Sequence, residues 1–169
     1  KKTPEQAFTE MKNEVSDLMN YCSDNAPGVV IAPEVTGKHS AWGSTQETLR
    51  LVSELDSSLE ALNPCIDISH VQARRENAFA TQEQVNSLFA EIERVLGKKA
   101  LKTIHFHAQD VEFTEKGERN HLPIGKGTIN WNAFVHALHE FKVEGTIISE
   151  SPLMEEDVMK LKKMYEDEK

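Results

Sequence analysis

Long apolar runs, cysteine clusters and net positive charge are all missing from this 169-residue chain, and each absence excludes something. No stretch approaches the roughly 20 apolar residues of a membrane span, so no membrane partner is expected. Nothing ahead of the first expected helix reads as a signal peptide, which points to a cytoplasmic protein. The two cysteines, Cys22 and Cys65, are far apart. One falls at a helix end and the other in an apolar run, so reduced thiols in or near a core are expected rather than a disulfide. The formal net charge of −9 argues against a basic groove for nucleic acid. It leaves room for phosphate binding through cations, because a site lined with carboxylates and histidines takes its positive charge from a metal. With 38% hydrophobic residues the chain can bury the core of one domain spanning 1–169.

Four short apolar runs stand out: G-V-V-I-A-P-E, P-C-I-D-I-S-H, T-I-H-F-H and T-I-I-S-E. Each ends in a residue able to bind a metal, namely Glu34, Asp67, His105 and Glu150, and a polar helical stretch follows each one. That order predicts an α/β fold with a parallel sheet and helical crossovers, of the (β/α)8 TIM barrel kind, with a metal site at the carboxyl ends of the strands. Helix starts are marked by Thr3-Pro4 with Gln6, by Ser44 with Glu47, and by Thr81 with Gln84. Val85, Leu88, Phe89, Ile92, Val95 and Leu96 recur at helical spacing, as do Phe134, Val135, Leu138 and Phe141. The last helix opens with Glu155, Glu156 and Asp157 and is expected to end near Lys160, Lys162 and Lys163, matching its dipole. A closed barrel needs eight strands in roughly 250 residues. Four are found here, so the chain reads as a partial barrel, its last four βα units, with the N-terminal half absent or a second half-barrel in its place.

Asp67 lies between Ile66 and Ile68, and alternation sends it to the same face as Cys65. A carboxylate in so apolar a run needs a partner, and a cation is the simplest. His70 is expected where that strand turns into its loop. His105 and His107 share one strand face, and His105 is taken as the ligand because its depth matches the other strands. The mixture of Asp, Glu and His suits zinc or manganese better than calcium. The connection from Gln109 to Asn130 is the longest in the chain and carries T-E-K-G-E-R-N-H, with Glu118 and His121 three apart. His136 and His139 flank Leu138 on an amphipathic helix and are read as structural or solvated.

At P-E-V-T-G-K, C-I-D-I-S-H, I-H-F-H, T-E-K-G-E-R-N-H and I-S-E-S-P the sequence resembles the endonuclease IV family of apurinic/apyrimidinic DNA repair enzymes, within the xylose isomerase-like barrels. The resemblance implies up to three zinc ions in the complete barrel. Glu34 would bridge two of them; Asp67, His105 and Glu150 would complete one shell; and His70 would serve the third, together with Glu118 and His121. The family commonly has Asp-x-His in that loop, whereas Glu118 to His121 is one residue longer. It also implies damaged double-stranded DNA as partner, hydrolysis on the 5′ side of an abasic site with Glu34 and Glu150 as catalytic carboxylates, and a fragment inactive without its other half. Lys38, Arg74 and Arg119 are candidates for phosphate contacts.

The rival reading is a sugar isomerase or epimerase of the same superfamily, in which a single ion held by Glu, Asp, His and Glu polarises sugar oxygens while carboxylates move the proton. The acidic charge favours it. A second ligand cluster favours the nuclease, since one ion does not need it. A third reading is a non-catalytic half-barrel scaffold.

Overall fold

The computed structural model describes residues 2–75 and 79–168. Helix α1 (Pro4–Asn25) starts where expected, with Thr3 Oγ1 accepting from the Gln6 backbone N–H and the Gln6 side chain accepting from that of Thr3. The same reciprocal cap opens α2 (Thr45–Leu55) at Ser44 and α4 (Gln82–Leu96) at Thr81.

Strand β1 (Cys65–Asp67) pairs in parallel with β2 (His105–His107), which pairs in parallel with β5 (Thr146–Ile148). The expected strand ending at Glu34 is present only as two parallel bridges to the β1 region, Ile31 to Leu62 and Glu34 to Cys65. Both bridges keep one register, and between them Pro33 faces Pro64. Pro33 has no N–H to donate to the Asn63 carbonyl, so the ladder is interrupted without being shifted.

Helix α3 (Ile68–Arg75) springs directly from β1. The strand stops at Asp67 because that carboxylate turns back to accept from the His70 N–H at 2.8 Å, the geometry of an N-terminal cap. His70 is therefore on the first turn of a helix, not in a loop.

The long connection is not structureless. It folds as an antiparallel hairpin of β3 (Asp110–Thr114) and β4 (Gly117–Leu122). Asp110, fully buried, anchors the segment that follows: its carboxylate accepts from the N–H groups of Gly125 (2.6 Å) and Ile129 (3.2 Å) and from Trp131 Nε1 (2.9 Å). A Cβ at Gly127 would come within 2.5 Å of Asp110 Oδ1, so the turn closes only around glycine.

The core lies between the sheet and its helices. Ile66 and Phe106 point away from the odd-numbered residues of their strands, and Phe106 meets Phe89 of α4 and Phe134 of α6 (Trp131–Glu140), ring centroids 5.7 and 5.8 Å apart. Short helix α5 (Ala100–Thr103) leads into β2. Helix α7 (Glu155–Asp167) runs past the expected end and has no basic residue in its last turn; Lys163 pairs with Asp167 at 2.7 Å instead. Asp157 is more than a favourable helix-start charge, since it is buried and accepts from the Ile124 N–H and Ser151 Oγ. His136 and His139 are structural, as read: they bond Glu168 Oε1 and the Tyr165 carbonyl, tying α6 to α7. Among the described residues, no helix is long and apolar enough to cross a membrane.

Candidate metal centre

The parallel register fixes what faces what. Asp67 stands opposite His107, one row above Cys65 opposite His105, while the bridge to Cys65 brings Glu34 alongside. The histidine among the acids is therefore His107 and not His105. Its Nδ1 lies 3.5 Å from Glu34 Oε1, 3.7 Å from Asp67 Oδ2 and 3.8 Å from Glu150 Oε2. His105 sits one full pleat deeper, a shift of two residues that the apolar run alone does not reveal.

A second group adjoins the first. His70 Nε2 is 2.9 Å from Glu118 Oε2, and His121 Nε2 is 3.0 Å from Glu118 Oε1. The longer Glu118–His121 spacing is reconciled by a β-bulge. Asn120 pairs with Glu112 and Glu118 with Phe113, leaving Arg119 as an extra residue, so Glu118 and His121 return to one face. Donor atoms of Asp67, His70 and His121 lie within 4.8 Å of one another, as do those of Glu34, Asp67 and His107.

These positions are supported from behind. Asp67 is fully buried and accepts from Ser69 Oγ (2.6 Å), the His70 N–H (2.8 Å) and Gln109 Nε2 (2.7 Å). Gln109, also buried, accepts from the Glu150 N–H at 3.2 Å, so one side chain links the Asp67 carboxylate to the backbone just beyond β5. His70 Nδ1 lies 2.7 Å from the Val35 carbonyl; donating there leaves Nε2 free to face the cluster. Gly37 permits the close approach of its loop: a Cβ there would lie 2.4 Å from Glu118 Oε2 and 2.9 Å from His70 Cδ2. Sequence reasoning assigned no role to Gln109, Ser69 or Gly37, since nothing local distinguishes them.

The electrostatics show what is wanted. Nearby Asp67, then the Cys65 thiol and Glu34, push His107 up to about 12. Burial would lower His70, but Glu34, Asp67, the Val35 carbonyl and Glu118 outweigh it and hold it at about 9. His107 and His70 together hold Glu34 down at about 2. For Asp67, burial is outweighed by His107, the charge of His70 and the Ser69 hydroxyl, and its pKa is lowered. Protons on the imidazoles stand in for a cation. His107 Nδ1 is buried with no carboxylate oxygen closer than 3.5 Å, an arrangement that is costly unless a ligand meets it. Imidazole nitrogens gathered among four carboxylates are a donor set that fits divalent ions of the zinc or manganese kind.

The three basic candidates differ. Arg74 is committed elsewhere: its guanidinium donates to the carbonyls of Thr36, Lys38 and Ala41 and to Thr36 Oγ1, clamping the loop rather than reaching outward. Arg119, at the bulge, pairs with exposed Glu112 at 3.1 Å. Lys38 is exposed on the clamped loop beside the hairpin tip.

Comparison with known proteins places this geometry. An uncharacterized protein of Methanocaldococcus jannaschii is 33% identical over 99% of this chain and 59% of its own length. A protein named probable endonuclease 4 from Chlorobium phaeobacteroides is 26% identical over 90% of this chain and 52% of its own. Among solved structures, a D-tagatose 3-epimerase-like protein superposes with a TM-score of 0.66 at 22% identity, over 96% of this chain and 54% of that one. The chain thus spans between half and three-fifths of the length of these relatives. A match to the family over residues 1–168, with the parallel strands and their carboxyl-end acids, shows that this chain belongs to the xylose isomerase-like TIM barrel family.

Proposed function

We propose that this chain carries the metal-binding wall of a phosphodiesterase that acts on DNA at abasic sites, in the manner of endonuclease IV. The observation that carries this reading is the second ligand cluster, His70, Glu118 and His121, built against Glu34, Asp67 and His107. A one-ion enzyme has no use for it. The similarity to a probable endonuclease 4 supports the same reading. Zinc is the proposed metal, up to three ions in a complete barrel, with manganese as substitute.

Bound divalent ions supply a lowered pKa for water and neutralisation of phosphate charge. The chain's own residues do the rest. Glu34 lies between the two histidine groups, 3.1 Å from His70 Nδ1 and 3.5 Å from His107 Nδ1, and would be a ligand where the two groups meet. Glu150 keeps 42% of its side chain exposed and is the acid best placed to take a proton from an attacking water at Oε2. Gln109 fixes the distance between Asp67 and the Glu150 backbone. Lys38 is left to meet phosphate, and with Arg74 withdrawn the cations rather than a basic groove attract DNA to an acidic protein.

A second reading, a one-ion sugar epimerase, is favoured by the fact that Glu34, Asp67, His107 and Glu150 form a four-ligand set by themselves. Metal analysis of the full-length protein separates the two, together with nicking of an abasic-site duplex by that protein as wild type, Glu34→Ala and Glu150→Gln. About three ions per complete barrel, with nicking lost in both variants, is the expected result. One ion with ketose epimerisation and no nicking would replace this reading by the second.

A further inference from the structure

We propose that Cys65, His105 and His107 form a second cation site, one pleat below the carboxylate centre and selective for thiophilic ions. The register sets it up. Cys65 and His105 are direct partners on adjacent parallel strands, and His107 follows on the same face. A sulfur and two imidazole nitrogens from these residues lie within 4.8 Å of one another.

The bland alternative for Cys65 is a core thiol. Its neighbours argue otherwise: alternation sends Ile66 and Phe106 to the helical side, while Cys65, only 3% exposed, faces two histidines. The His105 ring has no hydrogen-bond partner among the described residues and meets the edge of the His107 ring, centroids 5.3 Å apart. A buried thiol facing an unpartnered imidazole is the donor set that soft and borderline ions select and that magnesium, manganese and calcium decline. Three protein donors leave a fourth position open for water.

The two layers therefore differ in hardness and share one residue. An ion held below draws on His107, which the acids above also need, so a thiophilic ion weakens the carboxylate centre whatever reaction that centre performs. The inference stands on the register and donor chemistry and does not depend on the nuclease reading.

Cadmium alone is the probe, because a sulfur-to-cadmium charge-transfer band reports only on cysteine ligation. The protein should develop the band, keep it in Cys22→Ser and lose it in Cys65→Ser, with manganese binding above retained as read by electron paramagnetic resonance. His105→Ala should weaken cadmium binding about tenfold or more. In the wild type, cadmium NMR should show coupling to both imidazole rings. A band that survives Cys65→Ser, no band in the folded wild type, or a band without dependence on or coupling to His105 would each overturn the site.

Discussion

At the scale of single residues, the centre depends on side chains that touch no ligand. Gln109 is fully buried with both ends of its amide engaged, so Gln109→Leu strands an oxygen of Asp67 and the Glu150 N–H. We expect a loss of about 1–3 kcal/mol in chemical denaturation of the metal-free protein. Metal affinity by titration calorimetry should fall by about tenfold to a hundredfold. Unchanged affinity would reduce Gln109 to a packing residue.

The histidines give the metal-free protein a distinctive pH response. His70, raised from 6.5 to about 9, contributes stability that is complete below 6.5 and lost as pH climbs through 9. Glu34, lowered from 4.5 to about 2, contributes stability that is complete above 4.5 and lost as pH falls through 2. Melting temperatures in chelator should therefore fall on both sides of the interval between 4.5 and 6.5. Cation binding at neutral pH should release protons, seen as a buffer-dependent heat. A flat alkaline limb would show that His70 is not held charged by its acids.

At the scale of elements, the hairpin and the Glu34 loop depend on each other. The Gly37 carbonyl accepts from the Glu118 N–H at 2.9 Å, and the two chains close only because Gly37 and Gly117 lack side chains: a Cβ at Gly117 would lie 2.3 Å from the Gly37 oxygen. Gly37→Ala should push the hairpin outward at a cost of about 1–3 kcal/mol. Ions held through Glu118 and His121 should be lost before those held through Glu34, Asp67 and His107. Metal counting by mass spectrometry decides this, and loss of all ions together would mean that the two groups are one site. The caps at Thr3, Ser44 and Thr81 were legible because they need only residues three apart. The hairpin was not, since the bulge at Arg119 hides the strand's period of two. His70 was misplaced because a strand that runs straight into a helix leaves no turn residues to mark the boundary.

At the scale of the whole molecule, β5 forms one edge of the sheet with all three residues exposed, Ile147 and Ile148 among them. We propose that the remaining barrel wall comes from polypeptide outside this chain or from a second copy. The 169-residue chain alone should sediment as a monomer and nick abasic duplex weakly or not at all. A dimer that nicks well would assign the missing wall to a second copy.

Composition, capping patterns and the acids that end the apolar runs were enough to identify a β/α chain with candidate metal ligands at its strand ends. These signals are local, carried by residues within one turn or one strand of each other. The choice of His107 over His105, the pairing of Glu118 with His70, and the withdrawal of Arg74 into its own loop were decided only by the folded chain. Each depends on strand register or on two segments more than thirty residues apart approaching within hydrogen-bond distance. A linear pattern does not contain that information.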